Sequence, residues 1–345
     1  MIVPTIPYSS IDADLGEAYT EDEEEYAYKC AELVGAGVAA QPQGEAHRDV
    51  HAKHHGLQRA EFRVLPDLPD HLARGLFVPG QVYQAYLRFS NGTGDPMTKD
   101  DSEDGRGLAI KLLDVPGEKL FEPDRDATTH DFIMINHPFF FVSEPKKYYD
   151  LVKLAGSMSA LATAKIPFAV GLKTVKLFKE NNAGKISNPL QVRYYSGSAY
   201  RLGVGPDRTA VKYSVRPASD RLDPLPDNPR HDYLREAIAD TLRSSDVTMR
   251  FRVQPRTSDH MSVEDTMTIW DEDEAPFYDV ADIVIPQQDF DTPELNALGE
   301  NMSFNVWHAL PEHKPLGAMN RIRKVVYHQI SQIRHDRNGL APTEP

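Results

Sequence analysis

Near the C-terminal end, the stretch RKVVYHQISQIR carries Arg323, Tyr327 and Arg334 at spacings of four and seven residues. On an α-helix turning about 100° per residue these three fall within about 40° of one another, and Met319, Val326 and Ile330 lie within roughly another 60°. Two guanidiniums and a phenol therefore share the apolar side of a helix. One reading is ordinary: the arginines snorkel and the tyrosine sits at the rim. The other is chemical, because core-facing arginines are costly without an anion. A cation beside a phenol favours the phenolate, and phenolate can ligate the ferric iron of haem. The second arginine then suits a haem propionate, since the guanidinium is a planar fork matched to carboxylate.

A second stretch, RDVHAKHHG, sets His51, His54 and His55 within five positions, with His47 just before it. Taken alone it fits a metal cluster, an acid–base site or a solvated turn. Spacings of three and four suit zinc or iron held on one helix face. No second cluster of Asp, Glu or Cys completes such a signature, and a metal reading leaves Arg323 and Tyr327 unexplained. A haem carrier without turnover is a further alternative.

These residues must be positioned by ordinary globular elements. The chain has 345 residues, 40% hydrophobic and 26% charged, with a formal net charge of −14. That is ample for a core and argues against a nucleic-acid partner held through phosphates. Cys30 is the only cysteine, so no internal disulfide is possible. Without a basic leader or an apolar run of about 18 residues, neither a signal peptide nor a membrane span is expected, and a cytoplasmic location is the default.

Thr20-Glu21-Asp22-Glu23 predicts a capped helix running to about Gly35, after twenty loosely ordered residues. Strands are expected at 60–64, 82–89, 107–113, 132–135, 190–195, 209–215, 247–253 and 266–270, with GRGLAIKLL buried on both faces. Helices are expected at 145–161, around 170–179, and at 316–335; residues 220–229 read as a loop. Many strands with helices at both ends suggest an α+β protein built on an antiparallel barrel or curled sheet. No Gly-rich turn opens a helix after a strand, which excludes a dinucleotide fold and a P-loop.

At this point the residues resemble a family. RKVVY is similar to the proximal haem motif of catalases, and Arg334 falls where that family carries a further arginine. RDVHAK at Arg48 resembles the distal histidine segment, and RFS at Arg88 the family's Arg-Phe-Ser. DGRGLAIK at Asp104 resembles its Asp-x-Arg-Gly segment, and DFIMINHPFFFVSEP at Asp131 the segment with the distal asparagine and aromatic wall. The resemblance covers about 44–334 and implies an antiparallel eight-stranded β-barrel with peripheral helices and a C-terminal proximal haem helix. Residues 1–43 would form a helical arm and 44–345 one haem domain.

The same resemblance implies the cofactor and the roles. Haem b would be ferric, with Tyr327 as the axial metal ligand beside Arg323. His51 would act as distal acid–base, oriented by Ser90, and Asn136 would hydrogen-bond the peroxide. Arg48, Arg88 and Arg334 would meet the propionates, and Val50 and Phe141 would form apolar walls. His54 and His55 have no counterpart and read as solvated or hydrogen-bonded. Val325 stands where the family has phenylalanine, Gln329 where it has aspartate, and Ile135 at the catalytic asparagine. Together with the short length, this points to the minimal-core members: a peroxidase reducing organic hydroperoxides or hydrogen peroxide with a small-molecule electron donor. A fatty-acid hydroperoxide dehydrase on the same fold is the alternative. A dimer or tetramer is the expected assembly.

Overall fold

A computed structural model describes residues 6–156, 171, 176–177, 184–342 and 344–345. Nine strands form one sheet: β1 (His54–Val64), β2 (Val82–Asn91), β3 (Arg106–Leu112), β4 (His130–Ile135), β5 (Tyr194–Tyr195), β6 (Tyr200–Leu202), β7 (Thr209–Pro217), β8 (Val247–Pro255) and β9 (Tyr278–Ile285). Every pairing is antiparallel. The neighbour order is β5-β4-β3-β2-β1-β9-β8-β7-β6, and a β5–β7 pairing closes the ring. The result is a closed eight-stranded barrel. β6 is the exception: it continues β5 along the same edge of β7. Closure removes the sheet edges that would otherwise template association.

Aromatic rings from strands that are not neighbours meet inside the barrel. Phe132 lies 4.7 Å from Phe251 and 5.2 Å from Tyr213 between ring centroids, and Phe62 stands 5.1 Å from Phe251. Alternation then turns the other residues of the same strands outward. On β2, Leu87 and Phe89 face the core while Arg88 and Ser90 face out; β3 is buried on both faces, as its sequence suggests. Something must cover that outer face, and it is helical.

The helices among the described residues are α1 (Glu23–Ala39), α2 (Pro145–Gly156), α3 (Tyr233–Ser244), α4 (Pro293–Asn301) and α5 (Ala318–Asn338). α1 packs on α5 so closely that a Cβ on Gly35 would fall 2.8 Å from Ile333 Cδ1. Residues 6–20 are not loose: Glu17 accepts from Arg321 and from Lys314 at 3.1 Å, and Glu23 accepts from Arg321 at 2.6 Å. α1 also runs four residues past its expected end. Thr20 N–H donates to Glu23 at 3.1 Å, the back-reach expected of a capping box.

Other expectations shift. Leu190 belongs to a 3-10 turn, 266–270 is irregular, and β9, α3 and α4 were not foreseen. Residues 157–161 and most of 170–179 lie outside the described residues.

Candidate active site

The outer face of β2–β4 forms one wall of a cavity. Register places Ser90 opposite Gly107, Arg88 opposite Ala109, and Ala109 opposite Ile133, and all five line it. α5 supplies the facing wall through Tyr327, Ile330, Ser331 and Arg334, the three- and four-residue spacing of one helix face. The segment Arg48–His51 closes one side and Ser303–Phe304 another. The space is about 710 Å³ with its open mouth included. Val50 stands at the mouth, 49% exposed.

His51 is held in the left-handed region, φ 56°, which a non-glycine residue adopts only when its surroundings enforce it. The enforcement is visible. His51 N–H donates to Gly92 O at 3.1 Å, Ala52 N–H to Thr93 O at 3.3 Å, and Arg88 Nη1 donates to His51 O at 3.0 Å. Two glycines make this approach possible. A Cβ on Gly94 would sit 2.0 Å from Asp49 O, and one on Gly107 2.6 Å from His51 Nδ1. Asp104 Oδ2 fixes the intervening turn by accepting from Gly92 N–H at 2.9 Å and Thr93 N–H at 3.0 Å.

The His51 imidazole lies 3.0 Å from Ser90 Oγ through Nδ1. Burial, reinforced by Arg88, lowers its pKa to about 4, so the ring is neutral near pH 7. With Nδ1–H donating to Ser90, Nε2 is left as a proton acceptor.

On α5, Arg323 Nε donates to Tyr327 Oη at 3.1 Å and Nη1 to Asn320 Oδ1 at 3.1 Å. Asn320 is fully buried and cannot flip: its Nδ2 donates to Ala199 O at 3.0 Å and Leu316 O at 2.9 Å. Arg323 therefore supports Tyr327 from outside the cavity lining.

Three arginines gather at one end. Arg48 Nη2 donates to Gly299 O at 3.2 Å and to Met302 O, and Arg334 donates to Glu300 O and to Asn301 O, the latter at 3.0 Å. Arg88 Nη2 reaches Ala52 O at 3.3 Å. Arg48 Nη1 and Arg88 Nε are buried N–H groups with no hydrogen-bond acceptor. Such donors are rare in a finished interior and suit an anionic group in the cavity.

The structure thus brings together Arg48, Val50, His51, Arg88, Ser90, Tyr327 and Arg334 around one space. It does not bring Asn136 or Phe141 there. Asn136 Oδ1 accepts from Arg106 N–H at 2.7 Å, and the residue lines a separate depression with Lys185 and Asn188. It stands one position past the end of β4. Phe141 stacks on Phe140 at 4.2 Å, near Tyr148.

The histidine cluster is dispersed rather than convergent. His55 is fully buried, with Nε2 3.0 Å from Asn91 Oδ1, and is not solvated. His54 Nδ1 accepts from Gly56 N–H at 3.2 Å, and His47 Nδ1 lies 3.2 Å from Glu300. Among the described residues, no three His, Cys, Asp or Glu side chains converge to hold a metal. Sequence reasoning missed Gly107, Ser331 and Glu300. The helical spacing from Tyr327 to Ser331 could have found one of them.

A profile of the catalase family matches residues 45–161. That stretch is about a third of this chain, and the likeness to the catalase family is a likeness of that stretch. Fungal catalases named easC, from Arthroderma benhamiae, Trichophyton verrucosum and Arthroderma otae, are each 29% identical over 106 residues, covering 30% of this chain and 20% of theirs. The catalase fold extends much further than that match. Catalase A from Saccharomyces cerevisiae superposes with a TM-score of 0.68 at 19% identity, over 86% of this chain and 64% of that one. A bacterial catalase gives 0.68 at 16% identity, over 99% and 67%, and a fungal catalase gives 0.67 at 16%, over 86% and 61%. This chain therefore spans under two thirds of the length of two of these three catalases. Among the described residues, no helix is long and apolar enough to cross a membrane.

Proposed function

We propose that this chain binds haem b in the cavity between β2–β4 and α5 and consumes hydroperoxides there. One observation carries the reading: a neutral His51 and the phenol of Tyr327 line the same cavity, with buried, under-satisfied arginines at one end. Haem would supply the redox chemistry, with Tyr327 as the residue that would hold its iron and Arg48, Arg88 and Arg334 those that would hold its carboxylates. The match of residues 45–161 to the catalase family supports this choice of cofactor.

The protein's own part follows from geometry. A hydroperoxide entering past Val50 reaches His51, whose Nε2 takes the hydroperoxide proton while Ser90 holds the ring. His51 then returns that proton to the departing oxygen as water or alcohol. General acid–base catalysis of this kind contributes about 10²–10⁴-fold. Arg323 keeps a cation against the Tyr327 oxygen. Ile133, Met134 and Ile330 make the remaining wall apolar. With Asn136 turned away, His51 and Ser90 are left to orient the substrate. That favours a peroxidase-type enzyme accepting organic hydroperoxides, with a small-molecule electron donor, over one specialised for dismuting hydrogen peroxide.

The test is spectroscopic and then chemical. Protein produced with haem precursor should show a Soret band that Tyr327→Phe removes or shifts. Given an organic hydroperoxide and a donor, it should yield the alcohol. Colourless protein after haem addition would refute the reading. Loss of water from a fatty-acid hydroperoxide would identify a dehydrase instead.

A further inference from the structure

Glu300 lies among the cavity's arginines, and nothing in the proposed chemistry uses it. Its carboxylate is 3.4 Å from Arg48 Nη1 and 4.0 Å from Arg88 Nη2, with His47 at 3.2 Å and His54 at 3.8 Å. It is also the penultimate residue of α4, where the negative end of the helix dipole disfavours an acid. The carbonyls of that same helix end already hold Arg48 and Arg334. Glu300 is therefore poorly placed for its helix and well placed for the guanidiniums.

We propose that Glu300 is a resident counter-ion that sets which ligand charge this cavity accepts. Three arginines less one carboxylate leave a charge of about +2, matched to a ligand bearing two carboxylates. The inference rests on the haem reading and adds to it a determinant of cofactor selectivity.

The remaining groups fit this count. Asp49, which lines the cavity itself, is paired with none of the three arginines, and its carboxyl is pushed up by burial. Arg235, the next cation outward, is paired with Asp291 at 2.8 Å. The cluster remains under-neutralised: burial, then Arg48, brings Arg334 down to about 9 despite Glu300. Arg88 Nε, buried and without a hydrogen-bond acceptor, is what such a ligand would find.

Charge bookkeeping gives a direct experiment. Apoprotein is titrated by absorbance with haem and with haem dimethyl ester, which lacks the two propionate charges. The quantity read is the preference for the diacid, the ratio of the two dissociation constants. Glu300→Gln should raise that preference about tenfold, since one opposing charge is gone. Arg48→Met should lower it, and the double variant R48M/E300Q, back at about +2, should return it near the wild-type value. An unchanged or reduced preference in Glu300→Gln overturns the proposal. If that variant does not fold, a double variant no nearer to wild type than Arg48→Met overturns it as well. Wild-type protein that binds neither probe would sink the haem reading itself, and this inference with it.

Discussion

Arg323 Nε meets Tyr327 Oη at 3.1 Å, and among the described residues no ion pair joins Arg323 to a carboxylate. Two positions earlier, Arg321 has three: Glu17, Glu23 and Glu264. One helix thus carries a saturated arginine and an unsaturated one, and the unsaturated one faces the phenol. Replacing Arg323 with Gln should weaken ligation through Tyr327. The expected result is a shifted Soret band and about tenfold weaker haem retention, with little change in unfolding temperature. A wild-type spectrum and retention would show that the phenol needs no cationic neighbour.

Arg321 predicts the opposite phenotype. Its side chain is fully buried between the N-terminal arm and α5. Removing one partner of a buried ion cluster strands the others and costs about 3–5 kcal/mol. Arg321→Met should lower the unfolding free energy by that order, read from urea titration, while haem bound to the folded fraction keeps its spectrum.

His51→Ala should leave the Soret band in place and reduce hydroperoxide turnover by about 10²–10⁴-fold, the usual contribution of a general acid–base group. Gly107→Ala should reproduce much of that loss without touching the imidazole chemically, because a Cβ there would fall 2.6 Å from His51 Nδ1 and 2.7 Å from Ser90 Oγ. Full turnover in Gly107→Ala would mean the ring has other productive positions.

Asn136→Ala separates structure from catalysis. The side chain caps the Arg106 N–H, so its loss should cost about 1–2 kcal/mol of stability. Turnover should stay within about threefold, and a hundredfold drop would return Asn136 to the distal pocket.

Stability should have a maximum near neutrality. Burial lowers His51 and His55 to about 4 and His313 to about 3. Below about 6.5 the unfolded chain takes up protons that these rings refuse, so stability falls as pH drops towards 4. For fully buried His55 alone this amounts to about 3 kcal/mol by pH 4. His308 runs the other way. Burial opposes its cation, but Asp124 and Asp131 more than offset this and raise it to about 9. Its contribution is complete below 6.5 and is lost as pH climbs through 9. Urea midpoints from pH 4 to 9 would check both limbs, and a level profile between 6.5 and 4 would contradict the acid one.

The fold was legible in outline, and part of the candidate site in the spacing of its residues. Arg323, Tyr327 and Arg334 announce themselves because helical spacing puts costly groups on an apolar face, and α5 is where it should be. His51 and Ser90 were reached only through resemblance; nothing local says that two loops cross at Gly94 to bring them together. Asn136 was expected beside His51 on resemblance alone, and it lines a different depression. β9 was hidden because YDVADIVI carries acids on its outer side, where Asp279 and Asp282 pair with Arg252 and Arg250 of β8. Glu300 had no local signal, since its meaning lies in arginines far away in the chain.

The two walls of the cavity also constrain when it can exist. His51 precedes the first strand of the barrel, and Tyr327 comes from the helix that follows every strand of it. A nascent chain still lacking α5 has a closed barrel at best and nothing opposite His51. On the proposed reading, haem capture would then have to await synthesis of α5. Haem supplied to emerging chains should give no more holoprotein than haem supplied after release.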